Sequence, residues 1–440
     1  MELLHSVWAI GSLLLSVALL LFGHGMHLTL LPLVAESRGW TAGTNALTTS
    51  AYFFGFGAGC LIVPRWLLWI GHIRVFVVLV AISTGALLAL TLLDAVPAWL
   101  ALRFLYGIGI SGIYLTVESW LNAETQPRYR GAVLAIYAFV TLVAMFGAQI
   151  LLQAVSIETW RLLVLAAFFL CLAALPIGLT RRAAPRLVAS PHFRLRTLLN
   201  VANLPAVAAG ALAGSFWALA PVYTARIGFD AQETARYMAA ALGGGMLAVY
   251  PLGWLSDRCG RATILGLMGF VGVVGTLGYL LFADRGEAAV MLYGIGFGAL
   301  MMPLYALCVA LANDNAMDGD FVETGSIVIM ANALGMISGP IIAGWLLTGS
   351  APATLIWFWA GGFATLGICA ALIKSTHPDL ETDTTAFELV PRTVPEALVI
   401  DPRADAAASM DTQGFDSAAV APVDDAEPDT ATGQAAVLSS

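Results

Sequence analysis

The chain has 440 residues, 59% of them hydrophobic and 11% charged, against roughly 45–50% and about 25% in an ordinary soluble domain. That much apolar surface excludes a water-soluble globule. The net charge of -8 belongs to one end, because the final 66 residues hold 13 of the 28 acids and two arginines, leaving the rest at +3.

Apolar runs of about twenty residues can each cross a hydrocarbon layer of about 30 Å as a helix, so an all-α polytopic membrane protein is expected. The first run, 7–34, has no basic leader and is too long for a signal-peptide core, so it is expected to stay as the first span. It carries His24 and His27, three apart and therefore on one helix face. Imidazole titrates near physiological pH, which makes them transport or coupling candidates. The competing reading is a hydrogen-bonded packing pair. No third ligand has the spacing for a metal site.

The second span is expected at 45–63 and the third at 74–93, joined by "PRWLLWIGHIRVF" with Gly71 and Arg74. The fourth, 98–121, holds Arg103, Tyr114 and Glu118. An unpaired cation at that depth costs at least about 2.5–3.5 kcal/mol on insertion scales, so Arg103 is expected to face water or a carboxylate. It would then help proton transfer or anchor an anionic substrate, unless its side chain simply reaches the outer interface. Glu118 lies fifteen residues further on, about 22 Å along the axis, too far to pair with Arg103. It is read as a proton carrier, or as a partner of Arg128 or Arg130 in the following loop.

A fifth span at 132–154 contains Tyr137 and Gln149, and a sixth is expected at 161–180. An arginine-rich linker, 181–202, precedes six more spans at 203–224, 235–256, 262–282, 288–312, 325–347 and 352–374. Trp217, Tyr293 and Asn332 in these spans join Tyr114, Tyr137 and Gln149 as cavity-lining candidates, with helix-to-helix packing as the alternative for each. The acidic stretch "DNAMDGDFVE" fails the calcium-loop template, and Asp320 with Glu323 reads as a capping pair. Residues 375–440, acidic and without periodicity, read as a disordered tail.

Twelve spans divide six and six, giving an N-terminal bundle (1–180) and a C-terminal bundle (203–374). "LYGIG" occurs at Leu105–Gly109 and at Leu292–Gly296, in spans four and ten, and the loops after spans two and eight align with Gly71 and Gly260 separated by 189. Together these mark an internal duplication. With both termini cytoplasmic, inner segments hold fourteen Lys/Arg and outer loops five, the expected bias.

The loop "GWLSDRCGR" (Gly253, Asp257, Arg258, Gly260, Arg261), the stretch "RFLYGIG" from Arg103, and "ETQPRYRG" resemble signatures of the major facilitator superfamily of secondary transporters. "IGHIRVF", "VESWLN" and "GMISGPIIAG" are most similar to its YcaD-type branch. The resemblance implies two pseudo-symmetric six-helix bundles (the MFS fold) and a solute path near the bilayer midplane opened alternately to each side. Asp257, Arg258 and Arg261, beside the amino end of the following helix, read as a latch that holds the inner side shut in one state, with Gly253 and Gly260 letting backbones approach closely and Gly71 and Arg74 as gating candidates in the first half; the alternative is a static topology anchor. The first-half copy departs from it: Pro64, Leu68 and His72 stand where Gly253, Asp257 and Arg261 stand.

The function expected is therefore secondary active transport of a small solute across the inner (cytoplasmic) membrane, coupled to protons or another ion. The alternatives are a non-transporting sensor or receptor on the same scaffold and a membrane-embedded enzyme. The sequence has no nucleotide loop, hydrolase motif or zincin motif, its five cysteines lack metal-ligand spacing, and it has no basic face for nucleic acid. No cofactor, no metal, no nucleic-acid partner, no enzymatic activity and a monomer in the lipid bilayer are expected.

Overall fold

The computed structural model describes residues 11–125, 129–155, 159–179, 203–282, 286–314 and 321–376. The linker (181–202) and nearly all of the tail lie outside them, as does Asp320 of the expected capping pair.

Among the described residues twelve helices are long and apolar enough to cross a membrane. They are α1 (Gly11–Ser37), α2 (Ala42–Ile70), α3 (His72–Leu92), α4 (Val96–Leu121), α5 (Ala132–Ala154), α6 (Trp160–Gly178), α7 (Leu204–Arg226), α8 (Ala231–Cys259), α9 (Arg261–Phe282), α10 (Glu287–Asp314), α11 (Ile327–Leu347) and α12 (Ala353–Ser375). The count matches expectation, but α2 and α8 are longer than their apolar runs. Helix α2 passes Pro64 and Arg65 to end at Gly71. Helix α8 begins earlier than hydropathy suggests because Asp230 and Glu233 form a reciprocal capping box. In α10 the helix breaks at Met302–Pro303, where proline has no N–H to donate to the preceding turn.

The two halves repeat one packing plan. In the first, α1 packs on α5 and α6, α2 on α4, and α3 on α4 and α6; in the second, α7 packs on α11 and α12, α8 on α10, and α9 on α10 and α12. Between the halves α2 meets α11, α5 meets α8, and α1 meets α7, as a pseudo-two-fold axis requires.

Several glycines of both halves sit where backbones cross. A Cβ on Gly55 of α2 would collide with the Phe104 backbone of α4, and one on Gly107 with the Tyr52 carbonyl. In the second half Gly244 of α8 meets the Ile295 backbone and Gly298 of α10 meets the Ala241 backbone of α8. Only glycine permits so close an approach. Gly55 and Gly244, Gly71 and Gly260, and the in-helix prolines Pro32 and Pro221 are each 189 positions apart. The duplication therefore extends from sequence to backbone.

Candidate functional site

Helix α1 brings its two histidines into the first half beside α2 and α4, with ring centroids 5.3 Å apart. His24 shares Nδ1 with the Tyr106 hydroxyl at 3.0 Å, and the Tyr52 hydroxyl lies 3.5 Å from its Nε2. Arg103 precedes Tyr106 by about one helical turn, so both point the same way from α4. Its guanidinium donates from Nη1 to His27 Nε2 at 2.6 Å, from Nη2 to Thr49 Oγ1 at 3.2 Å and from Nε to the Thr48 carbonyl at 3.3 Å. The same group sits 5.1 Å from the centre of the Tyr52 ring, a favourable cation–π distance. All seven residues are at most 3% exposed.

Arginine can only donate, so His27 Nε2 must accept and its proton must sit on Nδ1. That nitrogen has no hydrogen-bond partner among the described residues. Every group that holds Arg103 is neutral, and no carboxylate lies within ion-pair distance of it among the described residues. The expected carboxylate neighbour is not seen, and the side chain does not reach the outer interface. His24, His27 and Arg103 were singled out in the sequence; Tyr52, Tyr106, Thr48 and Thr49 were not. Tyr106 carried a usable signal, lying three residues after Arg103 within the repeated motif.

Glu118 belongs to a second site. It is 1% exposed and accepts a hydrogen bond from Tyr137 Oη at 3.0 Å. Arg128 and the Arg130 side chain, its other proposed partners, lie outside what the structure describes. Tyr114 is half-buried against Phe56. Gln149 donates to the Gly25 carbonyl and accepts from Thr29, both at 2.9 Å, tying α5 to α1.

The second half is aromatic where the first is ionic. Tyr293 stacks on Tyr279 at 4.2 Å, and Tyr279 and Tyr223 share a 2.7 Å hydroxyl contact. Trp217 packs on Phe216, and Trp359 lies 4.6 Å from Phe297 while its indole donates to Ser215 at 3.1 Å. Asn332 is half-buried, with its carbonyl against Gly210. By the motif register Val290 occupies the place of Arg103.

In the loop after α8, Gly260 has φ +83°, as Gly71 after α2 has φ +81°. Both glycines serve a backbone with positive φ that other residues rarely adopt. Gly253 accepts from Ser256 through its carbonyl. Arg261 lies 3.8 Å from Asp257 and 2.7 Å from Asp314 at the end of α10, and both members of the shorter pair are nearly inaccessible. Arg258 lies 3.8 Å over Trp254, and Arg74 is exposed. Asp314 was not singled out in the sequence. In the first half His72, at the position of Arg261, makes a neutral contact instead, Nε2 to Ser119 Oγ at 3.0 Å. Breaking a buried ion pair from one side leaves a stranded charge and costs about 3–5 kcal/mol. Asp314→Asn, which leaves Arg261 with the longer Asp257 contact, is expected to lower thermal stability by up to that order, measured by unfolding in detergent, whereas His72→Ala is expected to have a much smaller effect.

The halves are joined near the ends of α1, α7 and α11. Arg226 Nε lies 3.1 Å from Glu36 Oε1, and its Nη1 donates to the Leu347 carbonyl at 3.2 Å. The Gly43 amide donates to Thr348 Oγ1 at 3.0 Å, and Ser50 Oγ donates to the Ile337 carbonyl at 2.8 Å. Gly344 packs against Ala46, leaving no room for a Cβ. Neither Arg226 nor Glu36 stands out in the sequence from the other charges near span ends.

The sequence model of the Major Facilitator Superfamily matches residues 13–319. The chain is 24% identical over 342 residues to the "Uncharacterized MFS-type transporter YcaD" of Escherichia fergusonii, covering 77% of this chain and 87% of that one. It is 26% identical, with the same coverage, to the protein so named in Escherichia coli K12. Among solved structures it is similar to a point variant of the nucleoside transporter NupG, with TM-score 0.72, 12% identity and coverage of 82% of this chain and 98% of the other. A bacterial homologue of the human lysosomal transporter Spinster, inward-facing and unoccupied, gives TM-score 0.63 at 15% identity, covering 88% and 99%.

Proposed function

Since this chain belongs to the major facilitator superfamily and is a multi-pass membrane protein of a transporter family, we propose that it moves a small solute across the inner membrane by alternating access, driven by a proton gradient. One observation carries the reading: polar contacts join the halves beside the loops after α1, α7 and α11, and the buried cluster of Arg103, His24 and His27 lies deeper in the first half. With both termini cytoplasmic, that closed end faces outward. Solute would then exchange with the cytoplasm in this state and reach the outside only after the closure parts.

Glu118, buried and held by Tyr137, is the proposed proton carrier, and the Asp257–Arg261–Asp314 group is the proposed latch at the inner end of the second half. The test is flux in proteoliposomes with and without an imposed pH gradient, using the purified full-length chain. Ligand binding without flux would reject transport in favour of a receptor on this scaffold.

The Glu36–Arg226 pair is about three-quarters buried on each side, so it is worth about 0.5–1 kcal/mol after solvent screening. Glu36→Gln is expected to shift the balance roughly two- to fivefold toward the outward-open state. Labelling of a single cysteine placed below the closure by a membrane-impermeant reagent from outside measures it. Unchanged labelling would remove the pair from the closure.

A further inference from the structure

We infer that Arg103 together with His27 receives a carboxylate or equivalent oxyanion of the carried solute, so that this protein is a carrier of small organic anions. The inference rests on the transport reading above and names the substrate class of its central cluster.

Three observations converge. The first is an uncompensated charge. Arg103 is buried within a membrane-spanning helix, yet its hydrogen-bond partners are an imidazole nitrogen, a hydroxyl and a carbonyl. A buried cation without a counter-ion is among the more costly arrangements a protein can keep, and a bound anion would supply the missing charge.

The second is unused donor capacity. Five guanidinium N–H bonds are available to an arginine, and the three contacts leave one on each terminal nitrogen without an acceptor among the described residues. Two such donors form the fork that recognises a carboxylate or phosphate. Beside them His27 Nδ1–H has no partner among the described residues although its side chain is fully buried. Cation and unsatisfied donor belong to side chains in direct contact.

The third is position. Thr49, which holds Arg103, is followed by Ser50, whose hydroxyl crosses to the Ile337 carbonyl of α11. The cluster therefore adjoins the seam between the halves. Thr49 is six residues past Gly43, about 9 Å deeper along α2 than the Gly43–Thr348 contact.

The test uses acid and amide pairs of matched size: benzoate and benzamide, nicotinate and nicotinamide, succinate and succinamide, with inorganic phosphate as a separate arm. Thermal shift and calorimetric titration on the purified full-length protein are expected to show binding of at least one acid and none of its amide. Arg103→Gln is expected to weaken that acid about 30-fold or more, as loss of one partner of a desolvated charge pair does. His27→Met, whose thioether is a weak acceptor and which has no donor, is expected to weaken it several-fold. If Arg103→Gln does not fold, Arg103→Lys replaces it, with loss of the two-pronged contact still expected.

Binding of no acid, equal binding of acid and amide, an acid preference surviving both substitutions, or binding of phosphate alone would each overturn the inference. Flux of the same pairs separates it from the transport reading. Acids bound but never carried would reject transport and leave the anion seat standing. Amides carried in preference to acids would reject the seat and leave transport standing.

Discussion

Joining Gly43→Cys to Thr348→Cys by oxidation is expected to stop solute movement, and reduction is expected to restore it. A Cβ built on Gly43 would lie 3.0 Å from Thr348 Oγ1, and in a disulfide the Cβ of one residue and the sulfur of the other are about 3 Å apart. That separation suits a disulfide between the two positions. The five native cysteines, free in this structure, are replaced first so that only the intended pair can form. Because the link spans α2 and the end of α11, it fixes the halves together at the closure. Liposomes carrying the oxidised protein are expected to show only background flux, while each single substitution remains active. Full flux from a completely cross-linked protein would end the alternating-access reading.

The second large effect concerns energy input rather than movement. Glu118→Gln keeps the shape and the hydrogen bond from Tyr137 but removes a proton that can come and go. An imposed pH gradient is then expected to drive no net accumulation, while exchange of labelled for unlabelled solute across the membrane continues. Tyr137→Phe is expected to reduce accumulation without abolishing it. Accumulation by Glu118→Gln equal to that of the native protein, at matched protein level, would exclude Glu118 as the coupling group.

Much of the architecture is legible in the sequence because hydrocarbon imposes a simple rule on length and polarity. Every span was located to within a few residues except where local chemistry overrode hydropathy: the capping box before α8, and the run of α2 beyond Pro64. The duplication was legible from "LYGIG" and from Gly71 with Gly260, since close crossings and positive-φ turns both demand glycine. Single ionisable residues inside apolar runs stood out for the same reason, so Arg103, Glu118, His24 and His27 were found. Their partners were not. Tyr52, Tyr106 and Thr49 are ordinary residues for a membrane helix, and only the packing of α2 against α4 brings Tyr52 and Thr49 to the guanidinium. Glu36, Arg226 and Asp314 occur among many charges near span ends, and no local pattern tells a pair that bridges distant helices from charges that meet only solvent.

The exchange of Arg103 for Val290 between copies has a mechanical consequence. If cargo is gripped by charge in one bundle and only enclosed by rings in the other, the two walls have unequal duties: one is a seat, the other a moving cover. Cargo would stay with the seat through the whole cycle, and its journey would consist of a change in which compartment the cover leaves uncovered. Evolution could then retune what is carried by altering one copy while the other kept the hinge motion intact.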